Sequence, residues 1–247
     1  MHHLLSLLPL AFAASALAAP PFRPGFSLGP PAGFPGFPGR GSLNCDVSGA
    51  IVDTAGGALT APQKPVSFIA LGVGTQNYTC SDAGTYASAG ALAELFDVSC
   101  FYDRPMFNNL ASMSFELWKR APPSIGAGQV ISALQGVDSN AILGEHYFVA
   151  SPSGTGISPK WDFTSRAFKG NADAFILAAK QGGVPAPTGS ADVDWLYLTN
   201  VQGSLADEVY RTHTKSGPPP ASCAAGSAPI TVKYTSLYWF TGGTIKN

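Results

Sequence analysis

Short segments in which side-chain character alternates, each ended by Gly, Pro or Asn, constrain the fold of this chain most strongly. A period of two places successive side chains on opposite faces of a β-strand. This period occurs in three late segments, which are residues 193–198, 208–214 and 230–240. In the last of them, Tyr234 and Tyr238 share one face and Trp239 lies on the other. Because 28 Gly and 21 Pro also interrupt the chain, long helices are not expected. The pattern predicts an all-β domain, either a β-sandwich or a β-barrel.

Two earlier regions are less regular. Phe107 to Arg120 is the best helix candidate, because apolar residues recur there at helical spacing, although part of it also alternates like a strand. Val66 to Leu71 is rich in β-formers, and Gln76 to Cys80 is predicted to pair with it across a turn at Gly72 to Thr75. We therefore expect an all-β fold with room for one short helix.

The chain contains four cysteines, at spacings that match no zinc site: Cys45, Cys80, Cys100 and Cys223. An even number of cysteines behind an export signal predicts two disulfides, and three pairings are open. We favour Cys45–Cys100 with Cys80–Cys223, since the second bond would tie the first strands to the last. The fold class is thus a disulfide-linked β-sandwich or β-barrel.

The N-terminus has the layout of a secretory signal peptide over residues 1–18. An apolar run of about 15 residues, shorter than a membrane span, ends in the small-x-small pattern Ala16-Leu17-Ala18. Residues 19–41 repeat Phe, Pro and Gly, which predicts a disordered linker. A single domain would occupy residues 42–247. We expect a secreted protein, extracellular or associated with the cell wall, with no membrane span after cleavage.

Charge excludes some partners. Lys and Arg number 14 and Asp and Glu 15, so the net charge is −1. Binding to nucleic acid requires basic residues that neutralise phosphates, so no nucleic-acid partner is expected. Charged residues make up only 12% of the chain, and the surface must rely on neutral polar side chains, which suits an extracellular β-protein.

Few residues could carry chemistry. Only His146 and His213 remain after signal cleavage, and each could act as a general base or metal ligand. A site that combines both with Asp162 would require the fold to gather them. Hydrolase motifs such as Gly-x-Ser-x-Gly and His-Glu-x-x-His are missing from the sequence. We therefore predict no catalytic residues beyond these weak candidates, no metal site and no cofactor.

Two further residues could act at the surface. Trp161 follows Pro159-Lys160 between turn residues, so it is the tryptophan expected to be exposed and to bind a sugar ring or a protein. Asn77 begins the one Asn-x-Ser/Thr sequon and is a glycosylation candidate, provided that it is exposed.

Several blocks together are similar to a known family: residues 70–80, 144–148, 193–196, 209–214 and 232–240. In these blocks the chain resembles a family of uncharacterised secreted proteins that is common in filamentous fungi and has bacterial relatives. The resemblance implies no activity, although fungal members often carry the label malate dehydrogenase. Gly72-x-Gly74-x-x-Asn77 resembles the start of a dinucleotide fingerprint, but Asn77 replaces the third Gly and a strand-like segment follows. The sequence therefore argues against a dehydrogenase.

The sequence thus favours a non-catalytic extracellular binding or interaction protein, acting at a cell wall or host surface, for example as an effector or enzyme inhibitor. Its partner would be an extracellular protein or a wall polysaccharide. The alternative is a secreted enzyme with an unrecognised site near His146 and His213.

Overall fold

A computed structural model of the protein describes residues 45–137 and 139–245. The predicted signal peptide and linker, residues 1–18 and 19–41, lie outside the described residues. Eight antiparallel strands pair in chain order and close into a barrel, because the last strand pairs with the first. The strands are β1 (Val66–Cys80), β2 (Tyr86–Asp97), β3 (Ile142–Ala150), β4 (Ile157–Asp162), β5 (Phe175–Val184), β6 (Trp195–Gln202), β7 (Glu208–Ser216) and β8 (Ile230–Thr241). The all-β prediction is confirmed, and of the two architectures left open the protein has the barrel.

The predicted turn at Gly72 to Thr75 is wrong, since β1 runs unbroken through both glycines. A Cβ atom on Gly74 would lie 2.1 Å from the carbonyl oxygen of Leu92 and 2.6 Å from Ala93 on β2. A Cβ atom on Gly72 would lie 2.6 Å from the Tyr238 ring. These glycines therefore allow neighbouring strands and a buried ring to approach closely, which is a role of strand glycine other than turning the chain.

A core of apolar side chains drawn from all eight strands fills the barrel, as expected for this strand number. Phe68, Trp161 and Phe240 are among its large members, and each is at most 2% exposed. The alternation predicted for β8 is confirmed, because Tyr238 belongs to this core and Trp239 to a second cluster on the outer face.

The outer cluster covers β1, β7 and β8. Helix α1 (Leu110–Arg120) packs on these strands, and the helix predicted in this region is confirmed. Residues 45–59, here called the strap, add the buried side chains of Val47, Val52 and Leu59 to the same cluster. The strap therefore lies against the outside of the barrel.

The disulfides are Cys45–Cys100 and Cys80–Cys223, which is the pairing favoured from the sequence. The first attaches the start of the strap to the short 3₁₀ turn Ser99–Phe101 that follows β2. The second joins the end of β1 to the segment before β8. Each bond thus connects a loop to a distant part of the chain.

A second helix, α2 (Ala127–Leu134), was not predicted, and it packs on β2. The Gly126 amide that opens it donates to the Gln129 side chain at 3.0 Å. Glycines at 126 and 128 hid this helix in the sequence, because glycine disfavours helices. Among the helices of the described residues, none is long and apolar enough to cross a membrane.

Candidate functional site

His146 lies inside the barrel and is 2% exposed. Its ring stacks on Trp161 at 4.4 Å, and Nδ1 donates to the carbonyl oxygen of Lys160 at 2.9 Å. Nδ1 must be the donor because a carbonyl only accepts. Burial lowers the pKa of His146 to about 3, although the Lys160 bond partly opposes this. His146 is therefore a neutral core residue without access to a substrate.

Trp161 packs in this same core, which corrects the expectation that it would be exposed. The alternation of β4 turns Lys160 outward and Trp161 inward, so the preceding Pro159-Lys160 pair does not mark a surface turn. No large face of Trp161 is available for binding a sugar or a protein.

Asp162 lies on the outer face of β4. Burial alone would raise the pKa of this carboxyl group, but hydrogen bonds from Lys160, Thr164 and Tyr147 outweigh it and hold the pKa at about 2. Lys160 Nζ and the Tyr147 hydroxyl are both 2.7 Å from Oδ2. Asp162 is thus ionised near neutral pH and holds Lys160, Thr164 and Tyr147 in place on this face. Its contacts include neither histidine.

His213 occupies a β-bulge in β7, where the register with β8 shifts between Thr212 and Lys215. Its φ of 49° lies in the left-handed region, which is unusual for a residue other than glycine. Ser216, which lies beyond the bulge and pairs with Tyr234, has a φ of 59°. Asp192 holds the bulge, since it accepts hydrogen bonds from the Ser216 amide at 2.6 Å and from Lys215 Nζ at 3.0 Å. Backbone strain of this kind is concentrated at functional sites.

The hydrogen bonds around His213 favour one tautomer of its neutral ring. Trp239 Nε1 donates to the Thr212 hydroxyl at 2.9 Å, and this hydroxyl lies 2.9 Å from His213 Nδ1. Thr212 is fully buried, and we assign its proton to donation toward Nδ1, because a buried hydroxyl proton otherwise has no acceptor in this contact. The remaining proton of the neutral ring is then on Nε2. Burial lowers the pKa of His213, with Asp53 acting in the opposite direction, which keeps the ring neutral near pH 7.

Nε2 of His213 faces a cleft of about 660 Å³ between the barrel and the strap. Asp53 forms the opposite wall, and its Oδ2 is 4.0 Å from Nε2. The other oxygen of Asp53 accepts the Ala55 amide at 2.9 Å, which orients the carboxylate. Further lining residues are Ile51, Tyr102, Asp103, Arg104, Asn108 and Trp239.

The strap wall is attached to the barrel side of the cleft by a direct bond. The Ile51 amide donates to the Tyr102 hydroxyl at 2.9 Å, and the Tyr102 ring packs edge-on against Trp239 at 5.9 Å. The other face of the His213 ring is occupied, because it stacks on Trp195 at 5.1 Å. His213 is thus held rigidly, and its Nε2 is the polar atom that it presents to the cleft.

The three catalytic candidates are therefore in three different environments: His146 in the core, Asp162 on the outer face of β4, and His213 in the cleft. In the described ranges, no three His, Cys, Asp or Glu side chains are grouped closely enough to hold a metal ion. Asn77 is half-buried on β1, and its side chain accepts a hydrogen bond from Thr75 at 3.1 Å. Its glycosylation stays a prediction.

Sequence reasoning missed Asp53 and the Tyr102–Arg104 segment. Asp53 followed by Ala55, Gly56 and Gly57 has the composition of a turn, in which an aspartate binds the amide two residues later. That signal predicts a local turn and gives no indication that the turn faces His213, 160 residues further along the chain.

The chain matches a known protein family over most of its length. Residues 60–242 match a family described as protein of unknown function (DUF3455). No curated protein and no solved structure matches the chain. The matched range includes His213 and the Tyr102–Arg104 segment, and it excludes the strap with Asp53. Because the match covers about three quarters of the sequence, this chain belongs to the DUF3455 family of proteins of unknown function.

Proposed function

We propose that the protein is a secreted, non-catalytic binding protein and that the cleft beside His213 holds its ligand. The observation that carries this proposal is the 2.9 Å contact between the Thr212 hydroxyl and His213 Nδ1, from which we infer that Nδ1 accepts and that Nε2 carries the proton. A general base must offer a lone pair to its substrate, but the Nδ1 lone pair is occupied by Thr212 and Nε2 carries a proton. The cleft thus presents a fixed hydrogen-bond donor.

The size and rigidity of the site support binding. A volume of about 660 Å³ is in the range of small-molecule pockets, which place a few polar groups among apolar ones. The strap is fixed by the Cys45–Cys100 bond, and structural disulfides persist in oxidising surroundings. These features agree with a role outside the cell, at a wall or at a host surface.

The enzyme alternative rests on one observation, the proximity of Asp53 to His213. A carboxylate beside a histidine is typical of acid–base sites, where it orients the ring and stabilises its charged form. At 4.0 Å the two groups do not form a direct hydrogen bond, and the ring would have to change tautomer to act as a base. Substrate turnover that is lost on replacing His213 would favour the enzyme.

The test uses two glycine variants of β7, both at residues with a left-handed φ. His213→Gly removes the imidazole and suits the local φ of 49°, whereas Ser216→Gly makes the same backbone change at a φ of 59° away from the cleft. Binding is measured by NMR with a small-molecule library, following the Tyr102 ring signal in all proteins and the His213 ring signal in the parent and Ser216→Gly. We expect ligands that shift both signals, bind the Ser216→Gly variant normally and bind His213→Gly at least 10-fold more weakly. A library that shifts neither signal, or equal binding by both variants, would refute the proposal.

A further inference from the structure

The positions of the His213 and Asp53 side chains restrict the chemistry of a ligand in the cleft. Nε2 of His213 donates a hydrogen bond, and Oδ2 of Asp53 accepts one. The two atoms are 4.0 Å apart, which is too far for a direct bond. One oxygen atom can, however, lie about 2.8 Å from both atoms at once.

From this geometry we propose that the cleft recognises a hydroxyl group, which accepts from His213 and donates to Asp53, and that the ligand is a neutral, polyhydroxylated molecule of the oligosaccharide class. This inference rests on the proposed function and adds the class of ligand to it. Several common ligand groups satisfy only one side. An ammonium has no lone pair for Nε2–H, whereas an ether or a carboxylate has no proton for Asp53.

The rest of the cleft suits the same ligand. Asp103, Arg104 and Asn108 are exposed along the lining and offer both donors and acceptors to further hydroxyl groups. Two carboxylates against one guanidinium disfavour an anionic ligand. Ile51, which is 79% exposed, and the partly exposed Tyr102 ring provide apolar surface for the C–H faces of a sugar ring. The volume accommodates more than a single sugar ring.

Asp53 offers a substitution that changes one atom and keeps the shape. In Asp53→Asn, the amide oxygen can still accept the Ala55 amide, which turns the new NH₂ group toward Nε2. The site then contains two donors and no acceptor, so a bridging hydroxyl loses its bond to residue 53. Asp46→Asn is the matched control, because Asp46 binds the Ser48 amide in the same way at 2.8 Å and does not line the cleft.

The experiment measures binding of hexasaccharides of glucose (β-1,3 and β-1,4 linked) and of N-acetylglucosamine by calorimetry. Permethylated versions of the same oligosaccharides keep the ring shape and the acceptors but have no hydroxyl protons. We expect at least one hexasaccharide to bind, the permethylated form and the Asp53→Asn variant to bind at least 10-fold more weakly, and Asp46→Asn to bind normally.

Equal binding of the permethylated form, or unchanged binding by Asp53→Asn, would overturn the inference. So would a cleft that binds other small molecules, as seen in the His213 signals, but none of the hexasaccharides. In that last case the proposed function stands and only the ligand class fails. If nothing binds in the cleft at all, both fail together.

Discussion

The stability of this protein is expected to fall as pH rises from about 4.5 to about 7, because of one buried carboxyl group. Glu94 on the outer face of β2 is 0% exposed, and neither of its oxygens has a hydrogen-bond partner among the described residues. It pairs across the strands with Glu145, a second carboxylate. Burial raises the pKa of Glu94 from 4.5 to about 7, with Arg166 opposing and Glu145 reinforcing the shift. The folded protein thus holds a proton that the unfolded chain releases.

The direction and size of the effect follow from linkage. A raised pKa in the folded state contributes fully below about pH 4.5, and this contribution is lost as pH rises through 7. A shift of this size corresponds to about 3 kcal/mol of unfolding free energy between the two limits. Glu145, whose pKa is also raised by burial and by Asp162, adds to the same trend. For a domain of ordinary stability, 3 kcal/mol is a large fraction of the total.

The measurement is urea unfolding of the disulfide-intact protein at pH 5 and pH 9, for the parent and for Glu94→Gln. The variant cannot ionise, so we expect it to be within about 1 kcal/mol of the parent at pH 5 and about 2–3 kcal/mol more stable at pH 9. Glu116→Gln is the control, because Glu116 is an exposed carboxylate on α1. A difference between parent and Glu94→Gln that does not change with pH would refute the reasoning.

Three further predictions concern the barrel and the strap. Gly74→Ala places a methyl group against the β2 backbone and should cost about 3 kcal/mol of unfolding free energy. Gly182→Ala is the control, since a methyl group there meets open space and should change the unfolding free energy by less than about 0.5 kcal/mol. Equal effects of the two substitutions would contradict the close-approach role of Gly74. Serine at both Cys45 and Cys100 should speed amide hydrogen exchange of strap residues 45–59 at least 10-fold and leave the strand amides protected. Serine at Cys80 and Cys223 is the control and should not change exchange in the strap. Unchanged strap exchange in the first variant would show that the packing of Val47, Val52 and Leu59 is enough to hold the strap. His213→Gly should lower the unfolding free energy by about 1–2 kcal/mol, because the relief of a left-handed φ only partly offsets the lost stacking on Trp195 and the lost hydrogen bond of the buried Thr212 hydroxyl. A loss above about 3 kcal/mol on thermal unfolding would contradict this balance.

The strands were predictable because their signal is local. Alternation in β8 places Tyr238 inside and Trp239 outside, as the sequence indicated. Closure into a barrel was not predictable, since it depends on the register between β1 and β8, which lie about 160 residues apart. The error at Gly72 and Gly74 has a related cause: a glycine that turns the chain and a glycine that allows close approach are the same residue in a sequence.

Only part of the candidate site could be predicted, because the rest depends on contacts between residues that are distant in the sequence. His213 could be selected because histidines are few, but its left-handed conformation arises from a bulge that Asp192 holds from another loop. Trp161 was misplaced because Pro159 is usually a sign of a turn, yet here it pairs with Phe148 within the ladder of β3 and β4. Asp53 gave only the signal of a local turn.

The cleft is formed by two parts of the chain, and only one of them lies within the region that matches the family. The barrel side, with His213 and Tyr102, lies within the region that matches the family, whereas Asp53 lies on the strap before residue 60. A donor without the opposing acceptor would not distinguish a hydroxyl from an ether or a carboxylate. Membership of the family alone therefore does not predict a preference for hydroxyl groups. A relative that has the histidine but no acidic residue on a comparable strap is expected to prefer free over permethylated oligosaccharides less strongly than this protein does, and an equal preference in both proteins would contradict the role of Asp53.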